Sequence, residues 1–141
     1  MNVETLSLSG KALDWAVAKC RGATDEWRQY GPFFWHDTAH IRVDGHDIEY
    51  SPSDMWMLAG PIVEQEKINL TASVEGNWIA NISEDFEMIY IAIGDTPLVA
   101  AMRCYVRSKL GKYACVPEEA NYWKYLAHSL VIVIWVCNNM F

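Results

Sequence analysis

Apolar residues recur along this chain at two periods, and the switches between them outline its elements. Residues 11–21 (KALDWAVAKCR) set Ala12, Leu13, Ala16, Val17 and Cys20 on one face at helical spacing, with Trp15 at the rim. Ser7 or Ser9 is placed to cap this helix and Gly22 to end it. Residues 38–50 (TAHIRVDGHDIEY) alternate instead, in two runs around Asp44-Gly45, a favoured two-residue hairpin turn. Ile41, Val43, Ile48 and Tyr50 supply the apolar face of that hairpin. Residues 61–66 and 68–71 read as strand, as do 78–82, and 87–93 (EMIYIAI) suit a buried strand. The clearest helix follows over 97–110, with Thr96 as N-cap, Pro97 at the first position and Gly111 as the stop. Leu98, Ala101, Met102, Tyr105 and Val106 form its inner stripe.

These elements predict an α+β domain: an antiparallel sheet of four to five strands with two main helices, 11–21 and 97–110, packed on one face. Two stretches fall outside the pattern. Residues 23–37 hold Trp27, Tyr30, Phe33, Phe34 and Trp35, the most aromatic part of the chain, and read as a short turn or helix around 25–29 followed by a loop. Residues 130–137 (LVIVIWVC) are eight apolar residues, far short of the roughly 20 needed to span a membrane. Such a β-branched run needs cover, from the sheet edge or from a second copy of the chain.

Composition narrows the function by exclusion. At 141 residues, 52% hydrophobic and 21% charged, the chain can bury a core of its own. Its net charge of −7 opposes binding to free nucleic acid, which requires a basic stripe. The first residues, MNVETLSLSG, lack the basic and apolar regions of a signal peptide. The four cysteines stand far apart with no CxxC and read as reduced thiols, so the expected location is a cytoplasm.

No stretch carries a catalytic signature. There is no nucleophile elbow, no phosphate loop, and no cysteine beside a histidine. His36 and His40, near Asp37, His46 and Asp47, have the only metal-like spacing, but they run from a loop into a strand and read as polar hairpin surface. Glu64 and Glu66 alternate along a strand and read as its solvated face. Neither a metal nor a cofactor is expected.

The segment 50–66 (YSPSDMWMLAGPIVEQE) is the strongest candidate for a binding surface. It combines a turn, a Trp between two Met, a Gly60-Pro61 hinge and an apolar run. Folding alone does not require a Trp there, and a loop Trp can stack on a base or fill a partner's pocket. Arg103 and Arg107 lie one helical turn apart and can clamp a phosphate or carboxylate. The candidate ligand residues are therefore Tyr50, Ser51, Asp54, Trp56, Gly60, Arg103 and Arg107.

Three blocks together resemble the phage and prophage NinX family: residues 8–20 (LSGKALDWAVAKC), 50–67 and 95–111 (DTPLVAAMRCYVRSKLG). The family's Tyr-Ser-Pro turn is met by Tyr50-Ser51-Pro52, its Trp by Trp56, and its Gly-Gly-Pro-Ile-Ile-Glu by Ala59-Gly60-Pro61-Ile62-Val63-Glu64. Ala59 in place of Gly and Met55 between Asp54 and Trp56 depart from the pattern. The resemblance implies one domain over 1–119, with 120–141 an added apolar extension packed on it or at a dimer contact. It further implies a phage accessory protein acting in the bacterial host's cytoplasm, and it brings no catalytic residues. By analogy with other phage proteins of this size, the expected function is non-enzymatic uptake of a small nucleotide-type signal against host defence. The alternative is inhibition of a host protein, and a homo-oligomer is compatible with either.

Overall fold

The computed structural model describes residues 1–36 and 38–117. In chain order the elements are β1 (Asn2–Glu4), a 3-10 turn (Thr5–Ser7), α1 (Gly10–Cys20), β2 (Phe33–Trp35), β3 (Thr38–Val43), β4 (His46–Glu49), α2 (Trp56–Gln65), β5 (Asn69–Ala72), β6 (Trp78–Glu84), β7 (Glu87–Gly94), α3 (Pro97–Leu110) and β8 (Tyr113–Cys115). The class is α+β as expected, but the single sheet is not found. The strands form three small antiparallel sheets, ordered β1-β8, β2-β3-β4 and β5-β6-β7.

The reason lies at residues 61–66. Read as strand, they would have linked the hairpin to β5. They are instead helical, because Leu58, Ala59 and Ile62 bury together at helical spacing. Gly60 and Pro61, expected to act as a hinge, sit inside α2. Glu64 therefore lies on an exposed helix face, and Glu66 caps the helix and meets Lys109 at 3.3 Å. With this link helical, the strands on either side form separate sheets. Residues 33–35, read as loop, extend the hairpin as β2, with Phe33 opposite His40 and Phe34 opposite Ala39. The apolar run 130–137 and the rest of the 120–141 extension lie outside the described residues.

Local chemistry sets the remaining boundaries. Asp44 and Gly45 both take positive φ, 51° and 79°, as a type I′ hairpin turn demands. Thr96 caps α3 by accepting the Val99 N–H at 3.2 Å. Ser9 occupies the N-cap position of α1 but makes no side-chain cap bond there.

One core joins these pieces. α1 and α3 pack together, and α3 lies on the inner face of β6 and β7, where Ala80, Ile82 and Ala92 meet Ala100, Ala101 and Cys104. These small residues allow close approach. A Cβ on Gly94 would fall 2.5 Å from the Ala100 nitrogen. Arg103 ties three elements: its Nε donates to the Leu8 carbonyl at 2.7 Å and its Nη1 to the Ile93 carbonyl at 2.9 Å. Thr5, fully buried, donates to the carbonyls of Gly111 and Lys112, anchoring the chain start to the end of α3.

Asp14 is a buried carboxylate on α1, and it accepts the Ser53 backbone N–H at 2.8 Å. This bond fixes the 51–54 turn that launches α2. Burial pushes its carboxyl from 3.8 up to about 6, with the Ser53 bond opposing and the charges of Glu49 and Asp54 adding. Because the folded value is raised, the group's contribution to stability is complete below about 3.8 and is lost as pH rises through about 6. The two-unit difference amounts to about 3 kcal/mol. Asp14→Asn, which keeps the acceptor, should flatten this dependence between pH 4 and 7 in urea unfolding. An unchanged pH profile in the variant would rule out Asp14 as its source.

Candidate functional site

The aromatic stretch and the adjoining hairpin build a concavity on the surface. It is an open hollow of about 750 Å³ lined by Asp25, Trp27, Phe33, Phe34, Trp35, His36 and Asp47. That volume falls within the range of small-molecule sites. The hollow is assembled in steps. Phe34 turns inward, stacks on Trp15 of α1 at 4.7 Å between ring centroids, and donates its N–H to the Thr24 carbonyl at 2.8 Å. This pins the 24–34 segment against α1. The alternation of β2 then sends Phe34 to the core and leaves Trp35 exposed, beside His40 at 5.9 Å and His36 at 6.3 Å.

The opposite wall comes from the hairpin. Arg42 of β3 grips Asp47 of β4 with two bonds, Nε to Oδ1 at 2.7 Å and Nη2 to Oδ2 at 3.1 Å. Its guanidinium also lies 4.7 Å from the Trp27 ring centroid. Arg42 thus holds both a carboxylate and an indole of the hollow in place. The same fork holds the Asp47 carboxyl below the usual carboxylate range. The result is a site with broad π surfaces on Trp27 and Trp35 and acceptor oxygens on Asp25 and Asp47. Such a combination suits a flat molecule with amino or imino donors at its edge.

The residues singled out from sequence are dispersed. Trp56 is the first residue of α2 and 54% exposed, with Met57 equally so. Ser51 closes the preceding turn, its carbonyl accepting the N–H groups of Asp54 and Met55, and Asp54 is exposed. Tyr50 belongs to the core, and burial raises its hydroxyl well above the ordinary value. Gly60 sits within α2 with open space where a Cβ would stand. Arg103 is engaged by the Leu8 and Ile93 carbonyls, and Arg107 has a buried Nη1 with no hydrogen-bond partner among the described residues.

Burial pushes the Cys20 and Cys104 thiols up to about 11, so both stay protonated at neutral pH. Among the described residues, no three His, Cys, Asp or Glu side chains converge on a metal position, and no helix is long and apolar enough to cross a membrane. Trp27, Phe33 and Trp35 were visible in the sequence as an aromatic cluster. What sequence did not reveal was β2, which turns Phe34 onto Trp15 and leaves Trp35 exposed at the hollow.

No curated protein matches the chain. The family model described as Bacteriophage P22, NinX matches residues 4–109, a span running from the end of β1 nearly to the end of α3, so the chain belongs to the NinX family of bacteriophage proteins.

Proposed function

We propose that this phage protein is a non-enzymatic binder that takes up a small nucleotide-type molecule in the aromatic hollow and withdraws it from host defence. The hollow itself carries the reading: two exposed indoles, Trp27 and Trp35, and the carboxylates of Asp25 and Asp47 line one space of ligand size. A base stacks on the Trp35 ring and offers its amino edge to Asp25 or Asp47. Phosphates turn outward, because the two carboxylates repel them from the interior. No step of this uptake needs a nucleophile, metal or cofactor, and the expected setting is the cytoplasm of the infected cell.

Titration with cyclic dinucleotides and ADP-ribose-type compounds, read by tryptophan fluorescence, tests the reading. Loss of one stacking ring costs about 1–3 kcal/mol, so Trp35→Ala should weaken uptake by about 5- to 150-fold. Binding by none of these compounds up to millimolar concentration would remove the proposal.

The second reading, inhibition of a host protein, is favoured by one observation. Trp56 and Met57 are adjacent and both 54% exposed at the start of α2, an anchor pair of the kind that fills a partner's pocket. On that reading a stoichiometric host partner is retained by the wild type and lost in Trp56→Ala. Retention in Trp56→Ala, or no partner at all, counts against it.

A further inference from the structure

We propose that the hollow selects guanine among the bases, with Asp25 reading its edge; this rests on the uptake reading above and names the ligand class. The wall of the hollow already holds a group of the same chemistry. Arg42 lays its guanidinium 4.7 Å from the Trp27 ring centroid and donates two N–H bonds to the two oxygens of Asp47. A flat N–C–N unit with two neighbouring donors thus satisfies an indole and a carboxylate together. Guanine carries that unit within its own ring system. Its N1–H and its N2 amino group stand side by side on one edge, joined through C2.

Arg42 occupies both oxygens of Asp47, which leaves Asp25 to meet a base. Asp25 lines the same hollow and is exposed, and its carboxylate has no hydrogen bond or ion pair among the described residues. The bond from the Phe34 N–H to the Thr24 carbonyl ties the segment carrying Asp25 to the one carrying Trp35. Trp35 is 58% exposed and offers its ring to the base. A carboxylate only accepts, so its two oxygens suit two parallel donors and repel a neighbouring acceptor. Adenine sets its N6 amino group beside the N1 acceptor, and cytosine its N4 amino group beside N3. Uracil sets its N3–H between two carbonyls. Each therefore turns an acceptor toward one carboxylate oxygen, whereas guanine gives both oxygens a donor.

Calorimetric titration of the full chain with GMP, IMP, AMP, CMP and UMP tests the proposal. GMP should bind about 10-fold or more tighter than the others. IMP, which lacks only the N2 amino group, should fall with the rest. Asp25→Asn turns one acceptor into a donor and should exchange the preference. GMP then weakens by about 10-fold or more, and XMP, with an oxygen at C2, binds better than GMP. A merely structural role for Asp25 would not produce that exchange. Equal binding of GMP and AMP, IMP as tight as GMP, or an Asp25→Asn protein that keeps GMP or fails to gain XMP would overturn the assignment of guanine. Each of those results leaves the uptake reading standing. Binding by none of these nucleotides, nor by the cyclic dinucleotides of either purine, would remove both together.

Discussion

Gly94→Ala should destabilise the protein by about 3 kcal/mol, the upper end for overpacking, because the added methyl has nowhere to go. It would stand 2.5 Å from the Ala100 nitrogen and 3.0 Å from the Ala100 Cα, both backbone atoms within α3. A flexible side chain could rotate aside, whereas a helix backbone must move as a unit. Moving α3 away from β7 opens the layer containing Ala92, Ala100, Ala101 and Cys104. The natural control is Gly60→Ala. Gly60 lies inside α2 with nothing within 4 Å of its Cβ position. There the methyl restrains the unfolded chain and favours helix, so stability should rise by about 0.5–1 kcal/mol. Urea midpoints moving in opposite directions for the two variants is the expected outcome. Equal shifts would mean that α3 and β7 are not packed this closely.

Arg103→Met should cost about 2 kcal/mol through the loss of two charge-assisted bonds. The guanidinium is only partly buried, and burial lowers its proton affinity while Asp95 opposes that effect. Water can therefore replace part of what is lost, which keeps the cost near the low end for two such bonds. The Leu8 and Ile93 carbonyls each lose a donor, and the approach to α1 is freed from β7. Arg107→Met provides the comparison. Its Nη1 is buried without a partner among the described residues, so replacing it should cost well under 1 kcal/mol. Urea unfolding of both variants separates the roles of two residues that look equivalent in sequence. Equal losses would contradict the assignment of Arg103 as the tie between α1 and β7.

Sequence made the two main helices and the central hairpin legible because their signals are local. Thr96 and Pro97 open α3, Gly22 turns the chain after α1 with φ 83°, and Asp44-Gly45 fixes the register that pairs Ile41 with Ile48. α2 was missed because Gly60-Pro61 reads as a breaker, whereas burial of Leu58, Ala59 and Ile62 outweighs it. The apolar run of β7 reads as a buried strand. Only the packing of α3 on one side reveals that Ile89, Ile91 and Ile93 are left outside. The hollow was half legible: its aromatics stood out, but Asp25 and Asp47 join them only through the contact of Arg42 with Trp27 and the stacking of Phe34 on Trp15. Those contacts bring together residues from three segments, and no spacing rule predicts them.

Uptake of a base-bearing molecule by the hollow is tested most directly by native mass spectrometry. Wild-type protein and Trp35→Ala are sprayed side by side after incubation with a mixture of nucleotides, cyclic dinucleotides and ADP-ribose-type compounds. The account predicts a discrete added mass on the wild type, lost on denaturation and absent from Trp35→Ala, whose melting temperature stays unchanged. A wild-type spectrum with no added mass, or the same mass retained in full by Trp35→Ala, would contradict it.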